Sequence, residues 1–262
     1  MNAITLMVVR RLGQLIPVAL VATFVVFSLV FLMPGDPAII MAGEYATPER
    51  IAEIRKIHGF DQPMLVQYLT WLWKAVHFDL GTSLYSSEEV AQLIVDRLPH
   101  TILLVVYALV LGSIVGIPLG IAAATRQGST LDKLITTVAS LGVAIPNFWL
   151  GIILVTMFAL SWHVFPATGA VSFGENPFEA IYYATLPAIA LSVGVVAVLA
   201  RQVRSALLEV LGSQYIRTLR AKGLGSGAIL WKHGLRNVAV TMLTIAGLQV
   251  NRLFSSAVIL EA

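Results

Sequence analysis

Residues 100–124 read HTILLVVYALVLGSIVGIPLGIAAA. From Thr101 to Ala124 there is no Asp, Glu, Lys or Arg. A run of this length exceeds the roughly 20 residues that a helix needs to cross about 30 Å of hydrocarbon. Similar runs fall at 12–33, 134–160, 184–200 and 238–260. The fourth is the shortest, uncharged from Ala184 to Ala200. All five are continuous and rich in Leu, Val, Ala and Gly, whereas a membrane barrel would show shorter strands of alternating character.

Composition leads the same way. Of 262 residues 58% are apolar and 12% charged, and the mean hydropathy is +0.85. A water-soluble globule of that composition would carry a largely apolar surface. A soluble enzyme, a disordered tail and a nucleic-acid module are therefore excluded. The net charge of +3 is too small for a phosphate-binding footprint. With no cysteine, disulfides and thiolate metal sites are excluded. The expected fold class is an all-α polytopic membrane protein.

The first run follows Arg10-Arg11, is longer than a signal-peptide core, and ends in Phe31-Leu32-Met33-Pro34 without an A-x-A-like site. It reads as an uncleaved helix after a short cytoplasmic N-terminus, 1–11. Loop charge then orients the chain. With the N-terminus inside, the inside segments carry eleven basic and two acidic residues. The outside segments 34–99 and 161–183 carry five basic and eleven acidic ones. The chain stops at Glu261-Ala262 directly after an apolar run, so a polar tail and at least one further helix are expected beyond it.

Segment 34–99 reads as a small external subdomain. Thr47-Pro48-Glu49 is an N-cap, a proline at N1 and an acid in the first turn. Ile51, Ile54 and Ile57 form one stripe, and Gly59 ends it. A second helix is expected over 63–77 with Tyr68, Trp71 and Trp73 as interfacial anchors. Segment 201–237 has seven basic residues and one acid. It reads as a short helix, a turn broken by Gly223, Gly225 and Gly227, and a return into the membrane. It is either a loop held by anionic lipid or a docking element for a cytoplasmic partner. These glycines lack the G-x-x-x-x-G-K-[ST] spacing of a nucleotide loop, and no H-E-x-x-H or G-x-S-x-G occurs. His58, His77, His100, His163 and His233 are scattered, without metal-ligand spacing.

Five further stretches carry a family resemblance. They are Pro34-Gly35-Asp36-Pro37; Gly59-Phe60-Asp61-Gln62-Pro63 with Gln67-Tyr68 and Trp71; Asp79-Leu80-Gly81-Thr82-Ser83; and Arg97-Leu98-Pro99-His100-Thr101. The fifth runs Tyr215-Ile216-Arg217-Thr218-Leu219-Arg220-Ala221-Lys222-Gly223-Leu224, then Lys232-His233-Gly234-Leu235-Arg236-Asn237. In this order they resemble the inner-membrane permease subunit of binding-protein-dependent ABC importers, in the dipeptide/oligopeptide/nickel group. The resemblance covers the whole chain. It implies a type I (MetI-like) permease fold with six membrane helices, five of them present here. The permease core would be 100–262.

The fifth stretch corresponds to the family's EAA loop, a coupling helix seated in a groove of the ATPase subunit. The resemblance assigns ATPase coupling to Tyr215, Arg217, Thr218, Leu219, Arg220, Ala221, Lys222, Gly223, Leu224, Lys232, Arg236 and Asn237. Arg217, Thr218 and Leu219 occupy the Glu-Ala-Ala positions. Thr241 stands where a proline usually begins the next helix. The resemblance also implies the partners: a sister permease, two ATPases holding ATP and magnesium, and an external solute-binding protein. This chain would carry no cofactor and no catalytic site, and would meet membrane lipid but no nucleic acid. The compartment implied is the bacterial inner membrane.

A translocation path can be sought from polarity. Gly112, Gly116 and Gly120 read as a packing stripe, and Pro118 as a kink. Gly142, Pro146 and Asn147 suggest a bend with a polar wall residue. Gln249, Arg252 and Ser256 share one helix face. An arginine at mid-membrane costs at least about 2.5 kcal/mol unless it meets water or a partner. The expected path residues are therefore Asn147, Gln249, Arg252 and Ser256, with Arg252 receiving an anionic group such as a peptide carboxylate. A structural ion pair is the other reading of Arg252. An ion-gradient transporter would instead require internal repeats and intramembrane acids, neither of which is evident. An intramembrane enzyme would require a catalytic pair.

Overall fold

A computed structural model describes residues 3–32, 35–43, 46–83, 86 and 88–261. Met33 and Pro34, at the end of the first expected span and the start of the first motif, lie outside the described residues, as does Ala262. Among the described residues the regular secondary structure is helical, apart from one isolated antiparallel bridge between Thr82 and Glu89. The chain divides into two units, Met1–Asp96 and Arg97–Ala262.

The first unit begins with α1 (Ala3–Leu32). Apolar side chains such as Leu12, Ile16, Val18 and Val21 stay exposed all round it, as a helix surrounded by hydrocarbon requires. Three short helices follow: α2 (Pro37–Ala42), α3 (Pro48–His58) and α4 (Met64–Val76). Thr47 caps α3 by accepting the Arg50 N–H, and Gly59 closes it at φ 69°. Asp36 caps α2 through the Ala38 N–H at 2.9 Å and also bonds the Arg55 guanidinium of α3. Asp36 is thus a clamp between α2 and α3. Gln67 bridges back to the Gln62 carbonyl at 2.8 Å and the Phe60 carbonyl at 3.3 Å, fixing the turn before α4.

Tyr68 is the pin between α4 and α1. It is 6% exposed, its hydroxyl lies 3.0 Å from both the Leu20 carbonyl and Thr23 Oγ1, and its ring packs edge-on against Phe24 and Phe27. Of the three aromatics expected as interfacial anchors, Tyr68 is therefore a packing residue, while Trp73 stays exposed.

The second unit is built on α8 (Pro177–Leu211). Around it stand α5 (Val90–Thr125), whose first turns precede this unit, α6 (Thr130–Ala144), α7 (Asn147–Leu154, continued by a π-helical turn Val155–Ser161) and α11 (Leu235–Glu261). Lipid is as apolar as leucine, so close packing rather than hydrophobicity joins helices in a bilayer. Gly112, Gly116 and Gly120 provide that packing. Cβ atoms at these positions would fall 2.5 Å from Val195 Cγ1, 3.0 Å from Val196 Cα and 2.7 Å from the Ala200 carbonyl oxygen. The main cluster adds Leu104, Val105, Ala108, Leu191, Leu199, Leu253 and Ala257.

Three helix limits differ from expectation. The second span was expected from 100, yet α5 runs from Val90 straight through Pro99. The fourth was expected at 184–200 with a loop from 201, but α8 extends over Pro177–Leu211. Asn176 caps it and Pro177 takes N1, while Leu199, Val203 and Leu207, all fully buried, carry one apolar face past Arg201 and Arg204. The third span, expected over 134–160 with a bend near Pro146, is two separate helices bent by 95°. Pro146 supplies no N–H and holds Ile145 extended at φ −77°, ψ 123°. Among the described residues, four helices are long and apolar enough to cross a membrane, and the bent pair makes a fifth if it counts as one span.

Candidate functional site

Two groups of residues stand out in the second unit. The first follows α8. Ser213 caps α9 (Gln214–Ala221) by accepting the Ile216 N–H. Ile216 is fully buried and is the helix's one buried side chain. Tyr215, Arg217, Thr218, Arg220, Ala221 and Lys222 are exposed, and Leu219 is half-buried. The helix ends on Gly223 at φ 81°. There the Gly223 N–H reaches the Arg220 carbonyl at 2.9 Å and the Leu224 N–H reaches the Leu219 carbonyl at 3.2 Å. This paired closure requires a left-handed residue, which glycine adopts without a Cβ clash. A short helix α10 (Ser226–Ala228) and a π-helical turn, Ile229–Gly234, return the chain into α11. Lys232, Arg236 and Asn237 are exposed along this return. The segment expected as helix, glycine turn and return has that form, beginning at Gly212 rather than at 201.

One cation of the expected basic loop is already engaged. Arg204 forms a two-pronged ion pair with Asp132 at the start of α6. Sequence reading counted both as loop charges. Nothing in a local pattern links residues 72 positions apart.

The second group lines a small recess. Asn147, Gln249, Arg252 and Ser256, the four residues expected on the path, converge there with Leu191, Gly194, Val195 and Leu253. Three helices supply them: Asn147 opens α7 directly after the 95° bend, Leu191, Gly194 and Val195 lie mid-way along α8, and Gln249, Arg252, Leu253 and Ser256 stand on α11. A Cβ at Gly194 would lie 3.6 Å from Asn147 Oδ1, so the glycine keeps the wall thin where the amide sits. Gln249 is 8% exposed and Arg252 is exposed. Among the described residues, Arg252 has no carboxylate within ion-pair distance. Asn251, next to it, is not among the lining residues. Sequence reading missed Gly194. Its only signal was a glycine within an otherwise larger-residue run of the fourth span. A second, apolar recess lies at the elbow, lined by Leu141, Ala144, Ile145, Pro146, Phe148 and Trp149; it offers no charged group.

Residues 116–262 match the family described as "Binding-protein-dependent transport system inner membrane component", and residues 4–105 match its N-terminal companion. The chain belongs to this family of ABC importer permeases. A Brucella abortus protein named "Putative peptide transport system permease protein" is 40% identical over 257 residues, covering 98% of this chain and 82% of the relative. The dipeptide transport system permease protein DppB of Escherichia coli K12 is 38% identical, covering 97% and 82%. DppB of Alkalihalophilus pseudofirmus is 37% identical, covering 96% and 82%. The permease is therefore a multi-pass inner-membrane transport subunit of a binding-protein-dependent system.

Proposed function

We propose that this permease is one of two non-identical membrane subunits of an importer that carries short peptides into the cell, driven by ATP hydrolysis on partner ATPases. The relatives named for peptide and dipeptide transport support the substrate class. The N-terminus and residues 212–237 face the cytoplasm, and segment 34–99 faces outward, where an external binding protein delivers the peptide. The bent pair α6–α7 counts as one span. ATP and magnesium are held by the two ATPases and not by this chain.

The observation that carries the reading is α9. It is a short basic helix, anchored through Ile216, exposed on its remaining faces, and closed by a glycine at positive φ. Such a helix offers charged donors to an acidic groove on an ATPase and passes its movement into α11. On α11, Gln249, Arg252 and Ser256 face the recess with Asn147. The peptide crosses along this wall, its carboxylate paired with Arg252, as the cavity opens alternately to the two sides of the membrane.

The test compares Gly223→Asp with Gly227→Asp in the reconstituted importer. Neither glycine has an atom within 4 Å of an added Cβ, but only Gly223 has a positive φ. A non-glycine residue in that conformation costs about 1–2 kcal/mol, and a charge is added beside the docking face. Gly223→Asp is expected to lose about tenfold or more of both transport and peptide-stimulated ATP hydrolysis, while Gly227→Asp stays near wild type. Unchanged transport in Gly223→Asp would refute the coupling assignment.

A further inference from the structure

We propose that Tyr215 and His233 form a clasp that makes α9 and the root of α11 move as a single lever, so that both act as positioning residues for transport. The inference rests on α9 being the coupling helix. Tyr215 Oη lies 2.6 Å from His233 Nδ1, and the two rings meet edge to face with centroids 5.8 Å apart. Tyr215 stands in the first turn of α9 and His233 in the π-helical turn Ile229–Gly234 that runs into α11. With Ile216 the one buried side chain of α9, the clasp is the second point at which that helix is held.

The π-helical turn is itself fixed on its other sides. Gly234 is buried against the end of α8, where an added Cβ would meet Leu207 Cδ1 at 3.2 Å and Leu211 Cδ2 at 3.6 Å. Asn237 donates its side-chain N–H to the His233 carbonyl at 2.8 Å, tying the turn to the first turn of α11. A path of contacts therefore runs from α9 through Tyr215, His233 and Asn237 into α11. Gln249 lies twelve residues further along that helix, about 18 Å at 1.5 Å per residue. π-turns interrupt the regular helical ladder and recur at functional positions. Here the interruption coincides with a side chain that grips α9. His233 has neither a metal-site arrangement nor a charged partner among the described residues, so the hydrogen bond to Tyr215 is its side chain's distinguishing contact.

The test uses the complete importer in proteoliposomes, with binding protein and a labelled dipeptide taken up by the wild-type complex. The readout is peptide carried per ATP hydrolysed, which does not depend on how much complex folds. Tyr215→Phe keeps the ring and removes the hydroxyl; His233→Leu removes the ring nitrogen; His233→Gln keeps a polar partner. Tyr215→Phe and His233→Leu should each lower the ratio about fivefold, the equivalent of one hydrogen bond. The double variant should be no worse than the poorer single, and His233→Gln should recover at least half. An unchanged ratio, or losses that multiply in the double variant, would overturn the clasp. A Thr218→Cys cross-link to the ATPase, made in the otherwise unaltered chain, separates the two readings. With the cross-link present, an unchanged ratio defeats the clasp alone. Its absence defeats the coupling reading and the clasp with it.

Discussion

Asp132 and Arg204, 72 residues apart, close the contact between α6 and α8 with two parallel hydrogen bonds: Nε to Oδ1 at 2.5 Å and Nη2 to Oδ2 at 2.8 Å. Asp132 is 3% exposed and also accepts the Gly128 N–H at 2.9 Å. Removing Arg204 strands a carboxylate that is shielded from water, and removing Asp132 leaves a partly exposed guanidinium without its partner. Asp132→Asn and Arg204→Gln should each lower the thermal midpoint of the solubilised complex. The double variant should lose less than the two single losses combined, as directly coupled residues do. Additive losses would show that the two side chains act separately.

The glycine contact between α5 and α8 makes a sharper demand. At Gly120 an added Cβ would meet the Ala200 carbonyl oxygen at 2.7 Å, and backbone cannot turn aside. Gly120→Ala is expected to cost about 1–3 kcal/mol through overpacking. Gly13→Ala on α1, where nothing lies within 4 Å, should be neutral or stabilising by up to about 1 kcal/mol from helix propensity. Thermal unfolding of the two variants side by side checks the contrast.

Arg252 gives a specificity prediction. If its guanidinium pairs with a peptide's terminal carboxylate, the importer prefers free peptides to their C-terminal amides. A hydrogen bond to a charged group is worth about 1.5–3 kcal/mol, roughly 10- to 100-fold. Arg252→Gln should erase that preference while leaving uptake of amidated peptides close to its former level. A preference that survives the substitution would remove Arg252 from the path.

Asp36 gives a pH dependence. The Ala38 N–H, followed by the Arg55 side chain, holds its carboxyl below the ordinary value of 3.8. A carboxylate with a depressed folded-state value contributes stability that is full above its unfolded value and fades as pH falls through the folded one. Amide exchange in α2 and α3, corrected for intrinsic rate, should therefore stay constant from neutral pH down to about pH 5 and accelerate below about pH 4. Asp36→Asn should exchange faster at neutral pH and show little change across that acid window.

Much of this architecture was legible in the sequence, because a bilayer leaves few options for a backbone that must satisfy its own hydrogen bonds. Apolar runs could only be helices. Thr47, Gly59 and Gly223 announced local geometry that depends on neighbours in the chain. The α5 stripe at 112, 116 and 120 announced a close contact without naming its partner. Reading stopped where the deciding contact was distant. Arg201 and Arg204 looked like the start of a loop, yet Val203 and Leu207 continue a buried face of α8 beside them. Pro146 signalled a bend, but not one of 95°, and only that bend brings Asn147 to the face that carries Gln249 and Arg252. Residue type identified all four polar members of the recess; their meeting, and the part played by Gly194, depended on how three helices cross.

The glycines of α5 have one more consequence. Where two helices meet through side chains, rotamers between them can absorb a small displacement. At Gly116 and Gly120 the nearest groups are largely the backbone and Cβ atoms of α8, which have no rotamers to do so. That joint has no slack. A displacement of α8 is therefore expected to carry α5 with it, with more of the give falling at contacts where flexible side chains stand between the helices.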